Sequence, residues 1–300
     1  MRILGIMSGT SCDGLDCCDV NIDIDSNYNL QFHINSFHTI PFCDLEKKFL
    51  LSVREKEDEY SNSSREITDL FIAKIEENMD IPDFDIVACH GHTVKHIDKI
   101  ISIQLIDEKI LYKKFKAPII YNFRFNDIFH GGSGAPLMPF LDWLLFSNID
   151  KEILTLNIGG ISNVTYIPKS HNRDYVIGFD TGPGMSLIDK AVKITLNDSY
   201  DVDGKYSSKG IVDFKLLNDL MENNYINSQP PKSTDIKDFG YKLLNQIIDN
   251  NKTLDPYNLI RTLVQFTVDS IHYNIINFIN LIDINCELVY SGGGTDHPII

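Results

Sequence analysis

The stretch that most limits what this chain can fold into is Gly9-Thr10-Ser11-Cys12-Asp13-Gly14-Leu15-Asp16, directly after the apolar run Ile3-Leu4-Gly5-Ile6-Met7. A short buried strand that breaks into small and hydroxyl residues, then resumes from Leu15 to Ile22, makes a tight turn. Its backbone N–H groups and hydroxyls can point outward together, an arrangement that binds phosphate. Clusters of Gly, Ser, Thr and Asp also mark ordinary turns, so the pattern alone leaves a plain hairpin open. The second half repeats the device: strand Glu152 to Leu156, turn Asn157-Ile158-Gly159-Gly160, returning strand Ile161 to Tyr166. A third glycine turn, Ser291-Gly292-Gly293-Gly294-Thr295, closes the run Glu287 to Tyr290. Three such turns in a doubled arrangement predict two related lobes with a nucleotide held between their loops. No G-x-x-x-x-G-K-[ST] is present, and no G-x-G-x-x-G opens a helix.

What remains is similar to the clamp of the actin-like and sugar-kinase ATPases, a two-lobed α/β fold with a nucleotide cleft between the lobes. The resemblance sharpens with Met7 to Asp16, Cys89-His90-Gly91-His92-Thr93-Val94-Lys95-His96, Phe123-Arg124-Phe125-Asn126-Asp127 and Gly131 to Pro139. Asn157 to Val164, Gly178-Phe179-Asp180-Thr181-Gly182-Pro183-Gly184, Pro231-Lys232-Ser233-Thr234 and Gly292-Gly293-Gly294 follow. In that order these motifs resemble the 1,6-anhydro-N-acetylmuramic acid kinases from the first residue to the last. The resemblance implies an ATP-dependent kinase with Mg²⁺, acting on a small sugar in peptidoglycan recycling and amino sugar catabolism in the cytoplasm. It admits a homodimer.

Bulk properties agree. The 300 residues are enough for two lobes with their own cores. A net charge of -15 argues against nucleic acid or an anionic membrane as partner. It also means that ATP is drawn in by a local site and a metal ion. The cysteines at 12, 17, 18, 43, 89 and 286 show no C-x-x-C pairing and read as reduced thiols. The N-terminal apolar run is too short for a signal core, and no stretch approaches the ~20 residues of a membrane span.

Residues 2 to 40 read as a meander of strands. Residues 63 to 79 predict a helix opened by a capping box, Ser63 with Glu66, whose Ile67, Leu70, Phe71 and Ile75 share one face. Phe84 to Cys89 reads as a buried parallel strand with His90 at its carboxyl end, where ligands bind in open α/β sheets. A helix over 107 to 116 and a strand over 117 to 121 lead to Arg124. The lobe boundary is expected near residue 126, giving an N-terminal lobe of 1–126 and a C-terminal lobe of 127–300. The second lobe has helices expected near 136 to 147, from Gly184, and near 238 to 250 and 257 to 281, with a strand ending at Asp180.

Asp180 is the candidate for chemistry, a carboxylate at a strand end beside a helix N-terminus. From spacing alone it could equally cap that helix. By the resemblance it is the general base, activating a water that attacks the anomeric carbon while the freed 6-oxygen takes the γ-phosphoryl group. Backbone amides at Gly9 to Ser11 and at Gly159 to Gly160 can cradle phosphate oxygens, because phosphoryl transfer depends on positioning and charge neutralisation. The resemblance makes the block Gly9, Thr10, Ser11, Cys12, Asp13, Gly14, Leu15 and Asp16 the ATP segment, with Asn157, Gly159, Gly160, Gly292 and Gly293 completing it. Asp13 and Asp16 are candidates to hold Mg²⁺ through water, with capping of the second strand as the other reading of Asp16; the metal ligands themselves are not fixed by the motif. The spacing of His90, His92 and His96 could bring two imidazoles together at a metal, but no cysteine or acidic ligand joins them at zinc-site spacing. His90 and His96 match the family pattern, and shaping the site or contacting the sugar is their expected work, with His90 the candidate for the sugar. Arg124, with its fork of donors, suits the substrate's carboxylate; a surface ion pair is its alternative.

The chain departs from the family pattern at Asn122, where aspartate is usual, at Ser133 for glutamine, at Met185 for asparagine and at His92 for glutamine. The first three are expected at or beside the sugar side, so they bear on the identity of the sugar more than on the use of ATP. Relatives also continue beyond the third glycine turn, so the sequence is expected to be either a fragment of a longer protein or a naturally shortened one, and a shortened, non-catalytic nucleotide- or muropeptide-sensing protein is the alternative to an active kinase.

Overall fold

In the computed structural model, residues 1–10, 12–26, 28–146, 148–235, 238–279 and 286–300 are described. They form two compact units, Met1–Gly134 and Ala135–Ile300. The first is a mixed sheet covered by helices. β1 (Arg2–Ser8), β2 (Gly14–Ile24) and β3 (Leu30–Pro41) form the expected antiparallel meander. α1 (Asp44–Val53) and α2 (Tyr60–Asn78) follow, then β4 (Ile86–Ile97), which returns parallel to β1. β5 (Ile101–Leu105), α3 (Glu108–Phe115), β6 (Ile119–Ile120) and α4 (Phe125–Phe129) complete the unit. The strand order is β3-β2-β1-β4-β5, with β6 also paired to β4.

The apolar face of α2 is the one its spacing predicts: Ile67, Phe71 and Ile75 are wholly buried against Leu4, Ile6, Leu15 and Val87. Burying such side chains contributes about 1.5–3 kcal/mol each. The capping box does not form. A 3-10 turn over Glu57–Glu59 runs straight into the helix, so Ser63 lies a turn inside it and is buried. Packing of the apolar face outweighs a local start signal. The expected strand end at His90 is also corrected. β4 continues to Ile97 because Gly91, at φ +74°, bends it there, and from His92 onward it pairs with β5. His90 therefore sits at a handover within one strand.

The second unit opens with α5 (Met138–Phe146) and a four-stranded sheet of β7 (Ile153–Ile158), β8 (Ile161–Ile167), β9 (Ile177–Pro183) and β10 (Glu287–Ser291). Its helices are α6 (Ser186–Leu196), α7 (Phe214–Met221), α8 (Asn224–Asn227), α9 (Tyr241–Asn250) and α10 (Pro256–Phe278). The expected end of the last helix near 281 lies outside the described residues. The order β9-β8-β7-β10, with β10 parallel to β7 and the rest antiparallel, repeats β3-β2-β1-β4 of the first unit. That duplicated topology is the doubled α/β fold the glycine turns predict. On one face, Leu154, Val164, Tyr166 and Phe179 pack with Ile279. Toward α5, the buried Asp142 accepts from Thr155 and Thr165 hydroxyls, each at 2.7 Å, which ties the helix to two strands.

Candidate active site

In the first unit the chain leaves β1 at Ser8 and turns through Gly9 to Asp13. Cys12 N–H donates to Gly9 O at 3.2 Å, and Cys12 holds a left-handed φ of +57°. Ser11 lies outside the described residues. Cys12 and Leu15 point into the core and are wholly buried, so within this block they shape the turn from behind. Asp13 is exposed and meets Lys47 at 3.3 Å; Asp16 accepts from the Thr39 hydroxyl at 2.7 Å. At Gly14 a Cβ would come within 2.9 Å of Ile40 O, so β2 can begin so close to β3 only with glycine.

One functional candidate escapes sequence reading. Arg54, at the C-terminus of α1, donates through Nη2 to Thr10 O at 2.6 Å and reaches Cys12 Sγ at 3.4 Å. It sets a guanidinium behind the first turn. No local motif marks it, because a helix end 44 residues away from Thr10 delivers it. Beside it His92, wholly buried, contacts Leu50 O through Nε2 at 3.0 Å. Burial first, and the Arg54 charge second, push its pKa down to about 4.

A second cluster joins His90, Arg124 and the Gly131–Gly134 loop. Arg124 Nε donates to His90 Nε2 at 3.1 Å, and its Nη1 donates to Gly134 O at 3.2 Å. His90 Nδ1 lies 3.1 Å from Gly91 O. A neutral ring that donates from Nδ1 and accepts at Nε2 satisfies both contacts. Burial, then the Arg124 charge, hold the His90 pKa down at about 4. Asp127 shapes the loop, accepting Gly134 N–H at Oδ2 (2.7 Å) and Gly132 N–H at its carbonyl (2.8 Å). His96 turns to Ser102 Oγ at 3.2 Å, so the three histidines face separate partners.

The second and third glycine turns meet in the second unit. Asn157 and Ser291 are register partners on β7 and β10, with Ser291 Oγ 3.3 Å from Asn157 Oδ1. Gly292, at φ +89°, lies so near that a Cβ would sit 2.6 Å from Ile158 O, whereas Gly293 faces open space. The carbonyl of Gly159 accepts from Met185 N–H at 2.8 Å. That of Gly160 accepts from Gly184 N–H at 3.0 Å and Ser186 N–H at 3.2 Å. The turn thereby caps α6.

Asp180 lies inside β9, not at its end, and is buried. Its Oδ2 accepts Thr234 N–H at 2.9 Å, its own N–H donates to Lys232 O at 3.2 Å, and its carbonyl accepts the Tyr225 hydroxyl at 2.8 Å. Farther along, Asn274 Nδ2 donates to Thr181 O and the Thr267 hydroxyl to Gly184 O, both from α10. Ser162 Oγ lies 2.6 Å from Thr181 Oγ1. A carboxylate fixed this way can accept a proton from a group presented to it without reorienting.

The family described as anhydro-N-acetylmuramic acid kinase matches residues 1–300. The chain belongs to that family. An anhydro-N-acetylmuramic acid kinase of Clostridioides difficile strain 630 is 35% identical over 100% of this chain and 82% of its own length. The one from Francisella tularensis subsp. novicida strain U112 is 33% identical over 97% of the chain and 80% of its own length. Membership in the anhydro-N-acetylmuramic acid kinase family makes the chain one of a family of kinases. Among solved structures, an activator of 2-hydroxyisocaproyl-CoA dehydratase from Clostridium difficile with bound ADPNP has a TM-score of 0.41 at 11% identity, covering 100% of this chain and 83% of that one. That likeness is too distant to bear on mechanism. No described helix is long and apolar enough to cross a membrane.

Proposed function

We propose that the chain uses ATP to phosphorylate 1,6-anhydro-N-acetylmuramic acid with hydrolytic opening of the anhydro ring, giving N-acetylmuramic acid 6-phosphate. This serves peptidoglycan recycling in the cytoplasm. Asp180 takes a proton from water, the water oxygen bonds to the anomeric carbon, and the bond from that carbon to the bridging oxygen breaks. The freed 6-oxygen attacks the γ-phosphorus, and ADP leaves with the bridging pair of electrons. The observation that carries this reading is the fixed, buried carboxylate of Asp180 in a chain of this kinase family.

In the same reading the turn Gly9 to Asp13, with the Arg54 charge behind it, receives phosphate oxygens, and Asn157 to Gly160 with Gly292 and Gly293 contribute the second set of nucleotide contacts. His90 acts on the sugar side by orienting Arg124 toward the substrate carboxylate. Among the described residues no three His, Cys, Asp or Glu side chains gather as a metal cage. The exposed Asp13 carboxylate, with Asp16, fits Mg²⁺ that keeps its waters and arrives with the nucleotide. When bound, that ion neutralises phosphate charge.

The test is ADP formation by the purified chain with MgATP, with and without the anhydro-sugar, and the product mass. Sugar-dependent ADP and a product heavier than the sugar by one water and one phosphoryl group are expected. A chain stabilised by MgADP but without sugar-dependent turnover would replace the kinase reading with nucleotide sensing.

A further inference from the structure

We infer that Lys232 is a positioning residue for Asp180, holding the carboxylate in place through Tyr225 and through its own main chain. The inference rests on Asp180 being the base. Lys232 is buried, 4% exposed, in a place where a long cation is costly unless it has partners. Its ammonium donates to Tyr225 O and Ile226 O, each at 3.0 Å. The rings of Phe278, Tyr225 and Phe179 lie 4.9, 5.0 and 5.9 Å from it. No carboxylate among the described residues pairs with it in an ion pair.

These partners belong to three elements that must stay in step: α8, β9 and the C-terminal end of α10. α8 and β9 lead directly to Asp180, and α10 grips the next residues of β9 at Thr181 and beyond. Tyr225, whose carbonyl the ammonium grips, donates its hydroxyl to Asp180 O. The Lys232 carbonyl accepts Asp180 N–H, and two residues on Thr234 N–H meets Asp180 Oδ2. Phe179 is the neighbour of Asp180 in β9. Burial alone pulls the Lys232 pKa down to about 8, a cost that an apolar residue would avoid. A core lysine that props two carbonyls of the segment bracing the base has a reason to be charged that packing does not supply.

The measurements are kcat and KM for Lys232→Met, Lys232→Arg, Tyr225→Phe and Asp180→Asn, with the MgADP thermal shift checked for each. Misplacing a reacting group by about 1 Å can cost ~10²-fold, so Lys232→Met is expected to lower kcat by ~10- to 100-fold with KM for ATP nearly unchanged. Lys232→Arg, which keeps two donors, recovers part of that loss. Tyr225→Phe lowers kcat several-fold, and the double variant loses no more than Lys232→Met, since the two act as one unit. A Lys232→Met enzyme with a lower melting temperature and wild-type kcat per folded molecule overturns the inference while the base reading stands. If Lys232→Met gives no cooperative melt, Tyr225→Phe decides, a wild-type kcat overturning the inference and a several-fold loss supporting it. Wild-type turnover by Asp180→Asn overturns the base reading, and this inference with it.

Discussion

The turn after β1 and the middle of β9 both carry candidate site residues, yet they are held very differently. Among the described residues from Gly9 to Asp16 few partners hold the polar groups: Asp13 meets Lys47, Asp16 meets Thr39, and the Thr10 carbonyl accepts from Arg54 and Cys12 Sγ. Around Asp180 to Gly184, α8, α10, β8 and the 231–234 segment all grip one short stretch. A loop that must take up and release a charged ligand gains from leaving its donors available. A group that moves a proton gains from having no choice of position. The difference predicts that substitutions in the turn act on binding, and those in β9 on turnover or on the fold.

The largest expected effect breaks or keeps that division directly. Asp180→Asn is nearly isosteric, keeps an acceptor for Thr234 N–H and cannot take the proton. Turnover should fall by at least ~10²-fold, the low end of a general-base contribution, with the MgADP thermal shift intact. Gly9→Val should do the opposite, abolishing the shift by blocking backbone approach. Near-normal ADP release by the asparagine variant would make Asp180 structural.

Acid should separate the two units next. His90 and His92 are buried and neutral in the first unit, both with pKa values of about 4 against an ordinary 6.5. Between those values the unfolded chain binds more protons than the folded one, so stability falls as pH drops from 6.5 toward 4. Each tenfold difference in proton affinity between the two states is worth ~1.4 kcal/mol, so the loss is on the order of a few kcal/mol. Lys232, near 8 against 10.5, has the same sign in a different window: the second unit gains stability as pH rises from 8 to 10.5. The single tryptophan, Trp143, reports the second unit alone. On going from pH 7.5 to 4.5 the melt followed by circular dichroism should move down more than the one followed by Trp143 fluorescence. His92→Gln, which can still donate to Leu50 O and cannot charge, should shrink that gap. Coincident melts at both pH values would remove the contrast.

How far these regions are legible in the sequence follows from the range of the forces involved. The β1–β3 meander, the buried face of α2 and the repeated glycine turns rest on alternation, helical spacing and local backbone freedom, all visible in a window of residues. So does α3, capped by Asp107 and ended by Lys116 in the left-handed region. The start of α2 and the course of β4 past His90 depart from local expectation because the 3-10 turn and the pairing with β5 override local signals. Arg54 carries no signal of a role, and the motif that contains Lys232 does not tell what its side chain does. Each acts on a residue more than forty positions away, which only the fold brings near. The Pro231–Thr234 motif is visible in the sequence, but not that its lysine turns inward.

A smaller effect tests how tightly the second turn is tied to α6. At Gly184 a Cβ would lie 2.2 Å from Gly159 O, backbone that cannot yield. At Gly159 the nearest contacts would be ordinary, 3.6 and 3.8 Å. Gly184→Ala should therefore cost about 1–3 kcal/mol or more, as overpacking does, and Gly159→Ala little. Chemical denaturation of the two variants checks the order. Equal costs would mean that the turn is as loosely held as the first one.

The smallest effect on the fold sharpens the comparison from the other side. Asp13 is exposed, and its ion pair is with Lys47 at 3.3 Å, the side chains being 75% and 35% exposed. Surface pairs of this kind are worth about 0–1 kcal/mol, so Asp13→Asn should leave the melting temperature without ligand almost unchanged. If Asp13 meets Mg²⁺ through water, the same substitution should weaken stabilisation by MgADP while sparing stabilisation by ADP in the presence of EDTA. The two titrations therefore isolate the metal contribution from the phosphate contribution, which the turn's backbone and Arg54 would still supply. A variant that lost both shifts equally would assign Asp13 to the shape of the turn. One that lost neither would leave Asp16 as the metal's carboxylate, and would show that the exposed end of this turn takes no part in holding the nucleotide.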